Sequence, residues 1–185
     1  MQIIDIFEAV REKAGSRARL RLVESDGVQA WTDGVDVFVT TGLLAKNDEH
    51  EIAGILAHEL AHIALAHVSK EQAALDQVHT ALSDAHQGGG IVESVVAAGI
   101  KGIAIAAIRR GRSRANEHDA DRRGQAYASG AGYADDGLAR ALANIAAEHN
   151  VSSVWDSHPT TPQRQAALAN RSRRTVVIRI RKSHR

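Results

Sequence analysis

The chain has 185 residues, which fits one domain with a sizeable buried core. Its formal net charge of +1 gives no basic excess of the kind that marks nucleic-acid-binding proteins, and the lack of cysteine excludes disulfides, thiolate metal ligands and cysteine nucleophiles. Only 3% of residues are aromatic, which favours closely packed helices over an aromatic-rich core.

The amino-terminal forty residues predict a helix followed by two strands. Residues 2–14 repeat apolar side chains at helical spacing. Residues 19–23 and 35–40 alternate or run apolar with β-branched side chains, which is typical of strands. Asp-Gly turn signals at 26–27 and 33–34 lie between them.

Helices dominate the remaining chain. Asp48, with Glu51 three residues later, is a capping signal for a helix over about 48–69. Further helices are predicted over 71–86, 113–129, 135–149 and 163–170, and a last strand over 175–181. Strands followed mostly by helices indicate an α+β fold, and residues 1–185 are predicted to form a single domain.

An apolar stretch at 91–108 follows a glycine run at 88–90. It contains Glu93 and Lys101, lies at the short end of membrane-spanning length and has a periodic apolar face. We interpret it as a buried or partner-covering helix, with membrane contact as the alternative. A lid hinged at the glycine run is a weaker hypothesis.

The end of the chain is basic, since no acidic residue follows Asp156. Residues 171–185 are interpreted as a solvated basic strand and tail, with binding to an anionic or membrane surface as the alternative. The first fifteen residues lack the apolar segment of a signal peptide. The compartment therefore stays open between the cytoplasm and a trimmed core of an exported or membrane-associated protein. The sequence predicts no nucleic-acid partner and gives no oligomeric state.

The predicted helix over 48–69 contains an H-E-x-x-H pattern from His58 to His62. The two histidines are four residues apart, so they lie on one helix face and can reach the same metal ion. Glu59 is turned about 100° from His58 and can accept a proton from a metal-activated water. Apolar neighbours make this helix largely buried, where unpaired imidazoles are costly.

Two histidines need a third ligand to form a catalytic zinc site. His67 lies nine residues after His58, on the opposite face of a continuous helix, and is predicted to be structural or exposed. Glu117, on a second predicted helix, would complete a two-histidine, one-glutamate set. Asp121 lies four residues later and is predicted to accept a hydrogen bond from a ligand histidine.

Together these motifs resemble the HtpX-like and CAAX prenyl endopeptidase group of zinc metallopeptidases, of the gluzincin type. The resemblance covers about residues 27–165 and is carried by Val37 to Leu44, His58 to His62, Ser113-Arg114 before Glu117 and Asp121, and Ser157-His158-Pro159 with Arg164. It implies a zincin-like catalytic core, mainly helical with a small sheet beside the active-site helix, and one Zn²⁺ per chain. Its implied ligands are His58, His62 and Glu117, with Glu59 as general base.

The resemblance also implies roles for two residues near the end of the matched region. His158 would lie over the metal, where its imidazole either stabilises the transition-state oxyanion or fills the open coordination position. Arg164 would support the site beside Asp121. A strand at the cleft rim is expected to pair with an extended polypeptide substrate. The residues predicted for this strand are Val37, Phe38, Val39 and Thr40.

The resulting hypothesis is a zinc-dependent endopeptidase acting on unfolded or membrane-derived polypeptides, with a role in protein quality control. One alternative is a zinc-bound binding or chaperone-like module that is weakly active or self-inhibited, although an intact Glu59 argues against it. Another is a basic surface-binding domain that uses residues 171–185 and has an incidental metal site. A steep salt dependence of binding would favour that last alternative.

Overall fold

The structure, a computed structural model, describes residues 2–84, 114–147 and 163–170. In these ranges the chain is mainly helical with one small sheet, which confirms the predicted α+β class. The elements in chain order are α1 (Ile3–Ala14), β1 (Leu20–Val23), β2 (Ala30–Thr32), β3 (Val37–Thr40), α2 (Thr41–Lys46), α3 (Glu49–Ala64), α4 (His67–Asp84), α5 (114–130), α6 (Gly137–Ala147) and α7 (163–170).

Several predicted features lie outside the described residues. These are the glycine run and apolar stretch at 88–108, the His158 loop, the strand at 175–181 and the basic end at 171–185. They stay predictions, as does the single domain over 1–185. Among the described helices, none by itself is long and apolar enough to cross a membrane. By length and composition alone, the pair Glu49–Ala64 and His67–Ala74, bent by 50°, meets that test.

The three strands form a sheet in the order β1-β3-β2, with β3 parallel to β1 and antiparallel to β2. Trp31 lies opposite Phe38 in the register, and their rings stack with centroids 5.1 Å apart. The sequence did not predict β2, because three residues are too short to show an alternating pattern.

This topology corrects the predicted role of Val37–Thr40 as a substrate-pairing strand. The strand β3 is hydrogen-bonded to a neighbour on both sides, and Val37, Val39 and Thr40 are buried. Its backbone therefore has no free edge to offer a peptide. In the described sheet the outer strands are β1 and β2, and β2 packs against α3.

The helix α3 runs through the core. At its start, the Asp48 side chain accepts hydrogen bonds from the backbone amides of His50 and Glu51, and the Glu51 side chain accepts one from the backbone of Asp48. This reciprocal capping box is the one that the sequence predicts. Every residue from Glu51 to His62 is buried, so the H-E-x-x-H segment lies inside the protein.

The predicted single helix over 48–69 is wrong at its carboxyl end. The helix α3 ends at Ala64, and Ala66 adopts a left-handed conformation with φ of 54° before α4 begins at His67. A left-handed backbone costs a residue with a side chain about 1–2 kcal/mol. The break changes the direction in which His67 leaves the backbone.

Glycines allow α3 and α6 to approach at backbone distance. A Cβ atom at Gly54 would lie 2.5 Å from the backbone nitrogen of Leu138, and one at Gly137 would lie 2.1 Å from the carbonyl oxygen of His50. Backbone atoms cannot move aside as a flexible side chain can. The close packing of α3 and α6 therefore requires glycine at these two positions.

We expect Gly54→Ala to lower the free energy of unfolding by about 1–3 kcal/mol, because the added methyl group forces α3 and α6 apart. Urea unfolding followed by circular dichroism measures the change. Gly130→Ala is the matched control, since the nearest atom to a Cβ there lies in the flexible Lys13 side chain, at the ordinary contact distance of 3.6 Å. The control should leave stability unchanged or raise it slightly. Equal unfolding midpoints for the two variants would contradict the packing argument.

Candidate metal centre

Three predicted ligands converge in the core although they lie on two separate helices. One ligand atom from each of His58, His62 and Glu117 lies within 4.8 Å of the other two. The Nε2 atoms of the two histidines are 3.0 Å apart, and they lie 3.3 and 3.4 Å from the Glu117 carboxylate oxygens. A tetrahedral zinc ion with bonds of about 2.0–2.1 Å separates its ligand atoms by about 3.3–3.4 Å. The triangle therefore has the size that such an ion needs.

The helix α5 reaches the site because it packs backbone to backbone against α3. Glu117, Asp121 and Gly124 follow one another at spacings of four and three residues, which places them on one helix face. A Cβ atom at Gly124 would lie only 2.9 Å from the Cα and nitrogen atoms of His58. The missing side chain at Gly124 thus lets both carboxylates meet the histidines.

Asp121 contacts the nitrogen of His58 that faces away from the donor triangle. Its Oδ1 atom lies 3.1 Å from His58 Nδ1. An Nδ1–H group of His58 can donate a hydrogen bond to this carboxylate, and the lone pair then lies on Nε2, where the other donors converge. The contact required for the predicted role of Asp121 is therefore present, while the role itself stays a prediction.

Arg164 connects α7 to two carboxylates of α5, those of Glu117 and Asp121. The residue is only 2% exposed. Its Nη1 atom lies 2.7 Å from Glu117 Oε2, while Nε and Nη2 donate to the two oxygens of Asp121 at 2.9 and 2.7 Å. Bidentate pairs of this kind are among the strong hydrogen bonds of proteins. The structure thus places Arg164 beside the donor set, next to Asp121.

The contact between His67 and His62 was not predicted from the sequence. It is buried, and its Nδ1 atom lies 3.0 Å from His62 Nδ1. Burial and the neighbouring His62 and Lys70 lower the pKa of His67 to about 4. A continuous helix would turn the ring away from the site, and no glycine or proline in the sequence signals the break at Ala66.

Burial and contacts among the site residues shift the pKa values of His58, His62 and Asp121. Burial alone would lower the pKa of His58, but Asp121 and Glu117 outweigh it and raise that pKa to about 10. For His62, burial prevails over the opposing Glu117 carboxylate and lowers the pKa. Burial would raise the pKa of Asp121, yet its hydrogen bonds with His58 and Arg164 keep that pKa below the usual range.

The charge balance of the site favours a divalent cation. Glu59, Glu117 and Asp121 are three buried carboxylates, and Arg164 is the buried cation beside them. With both ligand histidines neutral, this group carries two net negative charges. Uncompensated charge in a core is strongly destabilising. A divalent metal ion at the donor triangle would neutralise it, so both the charge and the donor types fit.

Comparisons with known proteins identify similar metalloproteases. The model of Peptidase family M48 matches residues 2–172. The Metalloprotease YcaL of Escherichia coli (strain K12) is 27% identical over 161 residues, which cover 85% of this chain and 63% of YcaL. A Protease HtpX homolog of Syntrophobacter fumaroxidans is 31% identical over 183 residues, with coverages of 84% and 64%. The Metalloprotease LoiP of Escherichia coli (strain K12) is 26% identical over 135 residues, with coverages of 72% and 54%. The chain thus spans less than two thirds of the length of each of these relatives.

We expect Arg164→Met to weaken zinc binding by roughly 10–100-fold, because Glu117 and Asp121 lose the guanidinium that holds them. Competition with a chromophoric chelator measures the zinc Kd. Arg122→Met is the control, since Arg122 is exposed and pairs with the exposed Asp119 on α5. Such surface pairs contribute little, so the control should bind zinc like the wild type. An unchanged Kd for Arg164→Met would show that the contact does not organise the metal centre.

Proposed function

The chain belongs to peptidase family M48, and on this basis we propose that it is a zinc-dependent endopeptidase with a zincin-like catalytic core. The observation that carries the proposal is the triangle of donor atoms from His58, His62 and Glu117. Two imidazoles and one carboxylate are a ligand set of catalytic zinc sites, and they leave a coordination position open. One zinc ion per chain would occupy this site.

Glu59 is the proposed general base. Zinc, when bound, supplies a Lewis acid that polarises a peptide carbonyl and acidifies the attacking water. Glu59 follows His58 directly, so its side chain leaves α3 about 100° away from that ligand and is not needed as a donor to the metal. Its carboxylate takes the proton of the attacking water and gives it to the amine as the C–N bond breaks.

Asp121 and Arg164 act as positioning residues in this proposal. Asp121 accepts a hydrogen bond from the Nδ1–H group of His58, and this contact keeps the Nε2 atom of His58 directed at the metal. Arg164 binds Glu117 through Nη1, 2.7 Å from Oε2, and so restricts the rotation of the carboxylate ligand. Neither residue needs to touch the reacting bond.

His158 is the second catalytic residue of the proposal. The short segment between His158 and Arg164 supports this role. Arg164 is bound to Glu117 and lies only six residues after His158. Six residues span at most about 20 Å. Two roles are open for its imidazole: a hydrogen bond to the oxyanion, or occupation of the open coordination position.

Polypeptides are the proposed substrates, bound as an added strand along β2. This strand has one neighbour in the described sheet, β3, and packs against α3, the helix that carries His58 and His62. Backbone hydrogen bonds to a strand edge give affinity with little demand on side chains. An endopeptidase for unfolded chains needs this kind of recognition.

Glu59→Gln should retain zinc, and its peptidase activity should fall by roughly 10²–10⁴-fold, because the amide cannot accept the water proton. Casein cleavage with and without a chelator, together with bound-metal analysis, measures both properties. Glu49→Gln is the control, since Glu49 is exposed in the first turn of the same helix.

Full activity in Glu59→Gln would exclude this residue as the base. Stoichiometric zinc in the wild type without any cleavage would instead favour the alternative of a binding module.

His158→Ala separates the two roles of the imidazole. A lower kcat with KM little changed is expected if His158 stabilises the oxyanion. A higher rate, with faster exchange of exogenous ligands at the metal, is expected if it blocks the open position. Steady-state kinetics on an unfolded substrate distinguish these results, and an unchanged rate would exclude both roles.

A further inference from the structure

Where α4 begins, its first side chain turns back toward the metal centre. The His67 ring packs edge-on against the His62 ring, with centroids 4.9 Å apart and an interplanar angle of 76°. The two Nδ1 atoms are 3.0 Å apart, and both rings are buried. We propose that His67 is a positioning residue that fixes the tautomer and the orientation of the metal ligand His62. This inference rests on the proposed metal site.

A single proton between the two Nδ1 atoms decides which nitrogen of His62 can bind a metal. At 3.0 Å, one Nδ1 atom must donate to the other, since two lone pairs or two protons facing each other repel. A proton on His62 Nδ1 leaves the lone pair on Nε2. That Nε2 atom lies 3.4 Å from Glu117 Oε1, inside the donor triangle. His62 can therefore bind a metal through Nε2 only when His62 donates and His67 accepts.

A neutral acceptor also suits the charge of the site. The other ligand, His58, has the carboxylate of Asp121 at its Nδ1 atom. A second carboxylate at the position of the His67 ring would add a buried negative charge to a group that one divalent cation already neutralises. An imidazole provides the hydrogen bond without that charge. His58 therefore has a charged acceptor, Asp121, whereas His62 has a neutral acceptor, His67.

A break between α3 and α4 places His67 beside His62. In a continuous helix, residue 67 would lie about 140° around the axis from His62 and could not meet its ring. The left-handed Ala66 breaks the helix and redirects His67. The first turn of α4 is held at the sheet, where Val68 packs against the turn at Gly34. Strained conformations persist where the surrounding packing determines them.

The zinc affinity of matched variants of the full chain tests this inference. His67→Leu removes the acceptor and should raise the zinc Kd by roughly 10–100-fold. His67→Gln retains an acceptor in its amide oxygen and should recover most of the affinity. His118→Leu is the control, because His118 is an exposed histidine beside Glu117 on α5 and should bind zinc like the wild type.

A second measurement requires no substitution. Two-dimensional ¹H–¹⁵N spectra of the histidine side chains in the zinc-loaded wild type should show the His62 proton on Nδ1, hydrogen-bonded to a nitrogen acceptor. A proton on Nε2 of His62, or metal bound through Nδ1, would overturn the inference even if His67→Leu failed to fold.

The two proposals fail in different ways. Absence of zinc binding by the wild type would refute the proposed function. Wild-type zinc affinity in a folded His67→Leu protein would refute only the positioning role of His67. A lower melting temperature of metal-free His67→Leu with unchanged zinc affinity would likewise assign the residue to the fold alone.

Discussion

The burial of three carboxylates beside two imidazoles is the constraint on which the rest of the structure depends. Glu59, Glu117 and Asp121 are buried in the same protein interior as a large cluster of apolar side chains. Arg164 offsets one of these negative charges, and the donor triangle has the size and ligand types for a divalent ion that offsets the other two. The raised pKa of His58 has the same cause, because the carboxylates of Asp121 and Glu117 favour a positive charge on its ring.

Backbone contacts place these charges, and small residues make the contacts. Gly124 brings α5 against α3 at His58, while Gly54 and Gly137 bring α6 against the other end of the same helix. A larger side chain at Gly124 would move α5 away from α3 and separate Glu117 from the histidines. The donor triangle therefore depends on the close approach of α5 to α3 at Gly124.

Local sequence patterns predicted the parts of the site that depend on helix periodicity. The spacing of His58 and His62, the capping box at Asp48 and the helix of Glu117 follow from short-range rules. The missed features depend on contacts between distant segments. The central position of β3 results from its pairing with β1 and β2, which no single strand sequence reveals. The break at Ala66 likewise has no local signal, and the contact of His67 follows from the break.

The two sides of the metal centre differ in how their proton positions are set. On the side of α5, charged groups hold His58, so its Nδ1 atom faces a carboxylate that Arg164 also binds. On the side of α4, a neutral ring meets His62, and a strained backbone brings it there. Carboxylates on both sides would leave the bound ion unable to neutralise the core, whereas neutral acceptors on both sides would leave Arg164 without Asp121 as a partner. The asymmetry is therefore the arrangement in which a divalent ion, one guanidinium and the three carboxylates balance.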